Sequence, residues 1–497
     1  MKPIWPKIPA GFVRAMLAGH SALGLAFAAL IYLVCLTGSV AVLAHEFQRW
    51  ERPQAPQVQT VSAEAIERLA RESIARDEDA EHLYITMPDA DMPRLRAYVD
   101  LAGADDDPEW SADETGHIVG DARAPWTHFL TRLHINLHLP SSWGVFLVGM
   151  TGVALLSSLI SGLFAHPRVF RDAFHLRLGG AKRLQEADLH NRIGVWGLPF
   201  HIIISLTGAL LGLSTIIVGF LALTLFQGDM DRAYSLFIPE ALIDDPRPAP
   251  MPRLQPMLDA VARDLPGASI VQVIYEHPGE RGQGVMIQVA EPRQLAAGSN
   301  FIFDGEGALL RRDIIAESAP GVQILQTIGP LHFGWFGGWP VKIAYILLGL
   351  GLTWVTSTGV AIWLARRRDK GRPAPGWERV WIAFVWSQPC ALAFAALASL
   401  AAPTISPIPV WIAATLAANA CAFFLAPPKI SMALRIASGA FLLATAAAHL
   451  ALHRLDYADP AAWGVNLALA LPGAALVFSA LFKPATLSRR ANAASVS

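Results

Sequence analysis

Eight long apolar stretches are the feature of this sequence that most limits its possible folds. A helix needs about 20 mostly apolar residues to cross a bilayer. Hydrophobic residues make up 53% of the chain and charged residues only 16%, which is typical of a polytopic membrane protein. We therefore expect an α-helical polytopic membrane protein with eight transmembrane helices and no nucleic-acid partner. The stretches lie at about 15–44, 143–165, 193–226, 341–365, 380–402, 408–426, 432–452 and 462–482.

The distribution of charge predicts how these helices are oriented. Residues 46–125, between the first two stretches, hold 19 Asp/Glu against 8 Lys/Arg. The short segments 166–192 and 366–379 hold six Lys/Arg each. Positive residues stay on the cytoplasmic side of a membrane. We therefore expect both termini in the cytoplasm and the acidic segment outside.

A histidine pattern occurs twice along the chain. His20 precedes a Leu-Thr-Gly triplet at 36–38, and His190 precedes the same triplet at 206–208. The interval from His to Thr is 17 residues in both copies. Internal repeats reveal architecture, so this pattern predicts two tandem repeats.

A second pair of matching segments supports the repeat. Leu-His at 133–134 and at 331–332 each begins an apolar run, and the runs end at Ser161-Gly162 and Thr358-Gly359. The intervals from His to Gly are 28 and 27 residues. Each predicted repeat is a transmembrane helix, an outer α+β domain and a second transmembrane helix, and a C-terminal module of four transmembrane helices follows.

The predicted boundaries follow from this plan. The first repeat comprises helix 1 (1–45), an outer domain (46–125) and helix 2 (126–165), and a cytoplasmic loop (166–190) follows. The second comprises helix 3 (191–226), an outer domain (227–331) and helix 4 (332–368). A linker (369–379) leads to the C-terminal module (380–497). In both outer domains the residue pattern predicts a helix followed by alternating strands, with Ser62 beginning the first helix.

Four histidines stand near the ends of the repeated helices. An imidazole in hydrocarbon is costly unless it is paired, hydrogen-bonded or ligated, so such residues indicate function. His20 and His190 are predicted near the cytoplasmic surface, and His134 and His332 near the outer surface. A bis-imidazole haem needs one histidine from each of two facing helices. We predict one haem at each face, with the two layers roughly 30 Å or a little less apart; the alternative is a snorkelling or capping role.

Three further histidines are alternative ligands. His201 lies near mid-membrane, and the first repeat has no histidine at the equivalent place. It could bind the inner haem instead of His190, act between the haems, or be a buried polar residue without a role. His45 and His138 are alternatives for the outer haem. No Cys-x-x-Cys-His sequence occurs, so any haem would be held non-covalently.

Several neighbours of the predicted ligands have two interpretations. Arg132 and Arg192 could pair with haem propionates or anchor their helices at the interface.

Glycines inside the second and fourth stretches either allow close helix packing or make room for a flat macrocycle. These are Gly149, Gly152, Gly349 and Gly351. Tryptophans at the outer interface form either an aromatic belt or a stacking site for an outer ligand. These are Trp126, Trp143, Trp335 and Trp339.

The ordered motifs resemble those of the PepSY-associated transmembrane-helix family. They include GHSALGLAFAALIYLVCLTG, RLHINLHLP, DLHNRIGVWGLPFHIIISLTG and PLHFGWFGG, and the resemblance covers roughly residues 10–370. It implies a bacterial inner-membrane protein linked to iron uptake. Some members are siderophore-iron reductases with two b-type haems, which implies His20, His190, His134 and His332 as the matching ligand positions.

The function expected from these features is electron transfer across the membrane. A quinol or a cytoplasmic reductase would supply electrons, and a ferric siderophore would be reduced outside to release its iron. The net charge of residues 46–125, 8 positive against 19 negative, favours a neutral or cationic chelate. The alternative is a non-enzymatic siderophore permease or accessory subunit whose outer domains are binding modules.

Overall fold

The structure, a computed structural model, divides into two compact units. It describes residues 9–77, 79–101, 107–165, 182–234, 245–296, 298–453, 457 and 459–482. One unit comprises Met1–Gly359 with Asp456–Ala462, and the other Val360–Leu455 with Trp463–Ser497. Most of the predicted cytoplasmic loop, residues 166–181, lies outside the described residues.

The described residues contain between six and eight candidate membrane spans. Six helices are long and apolar enough to cross a bilayer, and two bent helix pairs raise the number to eight if each pair is one span. The chain is therefore a multi-pass membrane protein, in agreement with the sequence. The six are α6 (Ser141–Ala165), α13 (Gly338–Asp369), α14 (Pro375–Ala401), α15 (Pro407–Phe424), α16 (Pro427–Leu452) and α17 (Ala461–Leu481).

The two bent pairs carry the repeated His-to-Thr segments. Helices α1 (Ala10–Ala26) and α2 (Ala28–Ala41) meet at 68°. Helix α7 (Lys182–Trp196) and helix α8 (Leu198–Gly212) meet at 69°. A proline at 199, in the first turn of α8, has no amide hydrogen and is compatible with a helix start there. The stretch at 193–226, expected as one helix, is thus divided, and α9 (Ser214–Leu225) completes it.

Both α+β segments, which were predicted to lie outside the membrane, join one sheet. All eight strands pair antiparallel in the order β4-β3-β2-β1-β5-β6-β7-β8, so the pairing of β1 with β5 unites the two segments. The strands of the first segment are β1 (Ala80–Thr86), β2 (Leu95–Leu101), β3 (Glu109–Ala112) and β4 (Ile118–Asp121). Those of the second are β5 (Ser269–Glu276), β6 (Gly284–Ala290), β7 (Ser299–Asp304) and β8 (Leu309–Asp313).

One hydrophobic core serves both segments. Alternate residues of the strands, such as Leu83 and Ile85, point to the face covered by helices α4 (Ala63–Arg76) and α11 (Gln255–Asp264). The Ser62 hydroxyl accepts a hydrogen bond from the Ala65 amide at 3.2 Å, which confirms the predicted start of α4. The remaining short helices of this unit are α3 (Ala44–Glu51), α5 (Pro125–Asn136), α10 (Met230–Tyr234), a 3₁₀ turn (Ile315–Glu317) and α12 (Pro320–Phe333).

Two short helices outside the spans position the outer histidines. Helix α5 ends at Asn136, and the next residue is in the left-handed region with φ 58°. Helix α12 ends at Phe333, followed by Gly334 with φ 73°. Each turn reverses the chain before a long span begins, so His134 and His332 both lie in the last turn of a short helix.

The second unit consists mainly of membrane-spanning helices. Helices α14, α15 and α16 pack around a core of apolar residues that includes Ala383, Ala418 and Ile430. Its helices also bury polar side chains, among them Gln388, Ser438 and His449.

Candidate bis-histidine centres

His20 on α1 and His190 on α7 face each other. Their ring centres are 6.4 Å apart and their planes are nearly perpendicular, at 81°. The Nδ1 of His20 lies 2.9 Å from the carbonyl oxygen of Ser158, and the Nδ1 of His190 lies 3.2 Å from the hydroxyl of Thr358. The structure thus brings together the two histidines of the predicted inner pair.

His134 on α5 and His332 on α12 form a second pair of the same kind. Their ring centres are 6.2 Å apart, with the planes at 20°. The Nδ1 of His134 lies 3.0 Å from the carbonyl oxygen of Val34, and the Nδ1 of His332 lies 3.0 Å from the hydroxyl of Thr207. The predicted outer histidines therefore also lie together.

Both separations suit a metal ion between the rings. A bond from a metal to an imidazole nitrogen is about 2 Å long, and that nitrogen is about 1.1 Å from its ring centre. Two such ligands on opposite sides of one iron would therefore have ring centres about 6.3 Å apart. The observed 6.4 and 6.2 Å agree with this value.

The hydrogen bonds also define which ring nitrogen would bind a metal. Backbone carbonyls only accept, so the Nδ1 atoms of His20 and His134 must carry the hydrogen. The Thr207 hydroxyl donates to the carbonyl of Ile203 at 2.7 Å and therefore accepts from His332. The hydroxyl of Thr358, which likewise donates within its own helix, accepts from His190. In neutral imidazoles of this form Nε2 holds the lone pair that a metal needs.

A glycine lies against each of the four imidazole rings. A Cβ built on Gly38 would be 2.6 Å from Cε1 of His134, and one on Gly208 would be 2.9 Å from Cε1 of His332. The inner pair shows the same relation, at 3.1 Å for Gly162 to His20 and 3.3 Å for Gly359 to His190. The repeated Leu-Thr-Gly and Ser/Thr-Gly segments therefore mark the places where a ring packs against a helix.

The outer pair lines a cavity of about 420 Å³. This volume is in the range of small-molecule and cofactor sites. Its wall is mainly apolar and includes several residues with little or no side chain, which leaves room for a flat ligand. The small residues are Gly38, Ser39, Gly152, Ser205, Gly208, Gly212 and Gly349. Gly152 and Gly349 line the cavity. Gly149 and Gly152 also lie in close helix contacts, because a Cβ on them would meet the backbone of Gly212 at 2.7 Å and of Ala209 at 2.9 Å.

The three alternative histidines occupy different surroundings. His45 lines the outer cavity and stacks on Trp335, with ring centres 6.0 Å apart and planes at 17°. Burial and the nearby charge of Arg96 lower the pKa of His45, which favours its neutral form. His138 instead stacks on the ring of Phe129, and its Nε2 lies 2.8 Å from the carbonyl of Phe129.

His201 is fully buried just after the bend between α7 and α8. A Cβ on Gly197 would be 2.5 Å from its ring. The nearest polar groups to its ring nitrogens within the described residues are the backbone groups of Gly194 and Leu348, neither in good hydrogen-bond geometry. Its ring contacts Phe200 at 5.9 Å. This residue remains a polar group in the interior without an assigned role.

The cation at the outer cavity is a lysine rather than a predicted arginine. Lys342 lines the cavity, and its Nζ lies 2.6 Å from Glu46 and 3.0 Å from Asp91. Arg132 is exposed. Arg192 is buried, 3.6 Å from Asp188. Sequence reasoning missed Lys342 because its predicted place, at the start of a span, is usual for an interfacial lysine.

Each histidine pair offers the two protein ligands that a haem would take. Among the described residues there is no group of three or more His, Cys, Asp or Glu side chains that could hold a metal. A haem supplies four equatorial nitrogens itself and needs only two axial ligands. The two imidazoles of each pair lie at a separation that suits these two positions. The outer pair also lines a cavity that contains several small residues.

Fold and site together define a class: a multi-pass membrane protein with a β-sheet domain and paired histidines between its helices. Residues 17–366 match the family described as the PepSY-associated TM region, so the chain belongs to that family. It is 30% identical over 255 residues to the uncharacterized protein PA4219 of Pseudomonas aeruginosa. The match covers 49% of this chain and 64% of that relative.

Proposed function

We propose that this protein transfers electrons across the bacterial inner membrane through two b-type haems and reduces ferric chelates at the outer side. The observation that carries the proposal is the presence of two histidine pairs, whose ring centres lie 6.4 and 6.2 Å apart. All four Nδ1 atoms are hydrogen-bonded. Bound haem would supply a centre that takes up and gives off one electron at a time.

The chain's residues would hold each haem in a fixed position. His20 with His190 would hold one haem through Nε2, and His134 with His332 would hold the other. The hydrogen bonds at Nδ1 fix the ring orientation and make each imidazole a better ligand. Two tandem repeats, each giving one histidine to each pair, explain why the same spacing occurs twice in the sequence.

The reaction follows from the chemistry of ferric chelates. Each chelate takes up one electron, so its Fe(III) becomes Fe(II), and hard oxygen ligands bind Fe(II) less firmly. A two-electron donor of the quinol class would reduce two chelates and release two protons; a cytoplasmic reductase is the other candidate. The acidity of residues 46–125 favours a neutral or cationic substrate such as a hydroxamate chelate.

The membrane orientation belongs to the same proposal. With both termini in the cytoplasm, the sheet domain and the pair His134–His332 lie at the periplasmic side. The pair His20–His190 then lies near the cytoplasmic side, where electrons enter. A spanning distance of roughly 30 Å is too long for useful transfer without intermediate centres, so both pairs are needed.

Release of Fe(II) from a ferric trihydroxamate provides the test. The full-length protein in nanodiscs receives electrons from a quinol, and an Fe(II)-specific dye reports the product. We expect His332→Ala and His190→Ala each to abolish release. Equal release from the wild-type protein and both variants would refute the proposal.

A siderophore permease or accessory subunit is the second candidate, because a large sheet domain suits a binding module. Transport of a chelate whose iron remains Fe(III), by protein without haem, would support that function instead.

A further inference from the structure

An exposed tryptophan lies at the edge of the outer cavity. Trp335 lines this cavity and is 57% exposed, so the cavity reaches the surface beside it. One side of its indole stacks on His45. The ring also contacts Phe333, with centres 4.5 Å apart, and Phe333 follows His332 directly in the chain. A continuous row of rings therefore leads from the outer histidine pair to the surface.

The backbone of this turn is built to hold the indole there. Gly334, Gly337 and Gly338 have φ values of 73°, 67° and 60°, a region that side chains disfavour. Three such residues allow the chain to reverse sharply between α12 and α13. Trp335 lies in this turn, and its side chain lines the cavity.

The corresponding turn after α5 has a different outcome. His138, four residues after His134, stacks on Phe129 and uses its Nε2 on the Phe129 carbonyl. This turn therefore packs against α5, and no aromatic side chain of residues 137–140 lines the cavity. The two histidines of the outer pair thus differ in their neighbours, and the row of aromatic rings begins at His332.

The charges around Trp335 indicate what it would accept. The ammonium group of Lys342 contacts two carboxylates, Glu46 and Asp91, and the charges of Arg96 and Asp89 also act on His45. Two positive and three negative groups leave a formal charge of −1. One oxygen of Glu46 is buried without a hydrogen-bond partner. Such surroundings disfavour an anion, while the face of an indole attracts a cation.

We propose that Trp335, backed by His45, is the docking platform for a neutral or cationic ferric chelate. The inference rests on the proposed function and names the substrate side of the same site. The indole would lie against the apolar surface of the chelate. The iron of the chelate would then lie near the His332 side of the outer histidine pair. Interfacial anchoring is the competing role for an exposed tryptophan.

Binding of a redox-inert chelate tests the platform apart from any reduction. The probe is the gallium(III) complex of a linear trihydroxamate that ends in an ammonium group. Its metal–trihydroxamate core is neutral, so the complex carries one positive charge, and gallium(III) cannot be reduced under these conditions. Its affinity for the full-length protein in nanodiscs is measured by calorimetry. We expect Trp335→Leu to bind about tenfold more weakly, and Trp335→Phe, which keeps a flat ring, to lose about threefold or less.

Trp143→Leu is the matched control. Trp143 is 70% exposed at the start of α6, and it is not among the residues that line the cavity. We expect its affinity to equal that of the wild-type protein. Unchanged binding by Trp335→Leu would overturn the platform, as would an equal loss in Trp143→Leu or tighter binding of an anionic gallium tricatecholate.

The haem spectrum separates this inference from the proposed function. We expect Trp335→Leu to keep the wild-type haem content, because its side chain is not a predicted ligand. A colourless wild-type protein would refute the electron-transfer function, whereas gallium-chelate binding that depends on Trp335 would still be measurable. Intact haems with binding unaffected by Trp335 would refute the platform alone.

Discussion

At the residue scale, the glycines next to the imidazoles make the sharpest prediction. A methyl group on Gly38 would overlap the ring of His134, since its Cβ would lie 2.6 Å from Cε1. We expect Gly38→Ala to lower haem content from about two to about one per chain by removing the outer haem. Pyridine haemochrome analysis of the purified protein measures this.

Gly24→Ala is the control for that substitution. Gly24 lies in the same bent helix pair, and a Cβ there would have nothing within 4 Å. We expect it to keep the wild-type haem content. The same content in Gly38→Ala would show that the ring does not sit as described.

The threonine behind His332 gives a second prediction at this scale. Thr207→Val removes the hydroxyl that accepts the Nδ1 hydrogen bond of His332. Loss of such a partner typically weakens metal affinity about 10- to 100-fold. We expect a correspondingly weaker retention of the outer haem, measured by the rate of haem transfer to apomyoglobin.

Thr356→Val serves as the comparison. The hydroxyl of Thr356 donates to the carbonyl of Leu352 within its own helix at 2.9 Å. Its replacement should leave haem retention unchanged. A similar acceleration in both variants would indicate a general loosening of the helices instead of a role for the hydrogen bond.

At the element scale, a buried ion cluster connects α3, the residue just before β2 and the segment before α17. Asp459 accepts from Arg49 at 2.7 and 2.8 Å and from Arg94 at 2.8 Å, and it is fully buried. Removing one partner of a buried ion pair costs about 3–5 kcal/mol. We expect Asp459→Asn to lower the thermal unfolding midpoint, as followed by circular dichroism in detergent.

The same cluster predicts a dependence on pH. Burial alone would raise the pKa of Asp459, but the hydrogen bonds and charges of Arg49 and Arg94 hold it below its ordinary value. The contribution to stability is therefore complete above about pH 4, the ordinary pKa of Asp, and is lost as the pH falls through the lower folded value. Asp459→Asn should lack this acid-dependent part; an identical acid profile would contradict the assignment.

The helices and strands also show which parts of the fold could be predicted from the sequence. Alternation of apolar residues predicted β1, β2, β5 and β6, and Ser62 predicted the start of α4, because these signals are local. The pairing of β1 with β5 joins two segments that are far apart in the sequence. Nothing in the sequence of either strand shows whether it pairs with another segment or forms the free edge of a sheet. Of the two helix bends, only the one near Gly197 has a local signal, Pro199; the bend at Phe27 has none.

At the scale of the whole molecule, the repeated histidine spacing allowed the candidate site to be predicted from the sequence. Four histidines could be paired from the sequence because each has a counterpart with the same spacing. Lys342 and Trp335 have no such counterpart, and their roles depend on a cavity that only the folded chain forms. The C-terminal helices carry no repeat, so the sequence did not predict the polar groups that they bury.

His201 distinguishes a symmetric arrangement from an asymmetric one. If the haem ligands are the two pairs, His201→Ala should keep both haems, whereas His190→Ala should lose the inner one. The opposite result, with loss only in His201→Ala, would place the inner ligand deeper in the membrane.

The most direct test of the central claim is the reduced-minus-oxidised absorption spectrum of the purified protein, combined with a haem count. We predict low-spin bis-histidine b-type bands and about two haems per chain. We further predict that His332→Ala removes one haem and leaves the other reducible by the quinol. A folded, colourless wild-type protein, or a single haem that is unaffected by His332→Ala, would contradict the account.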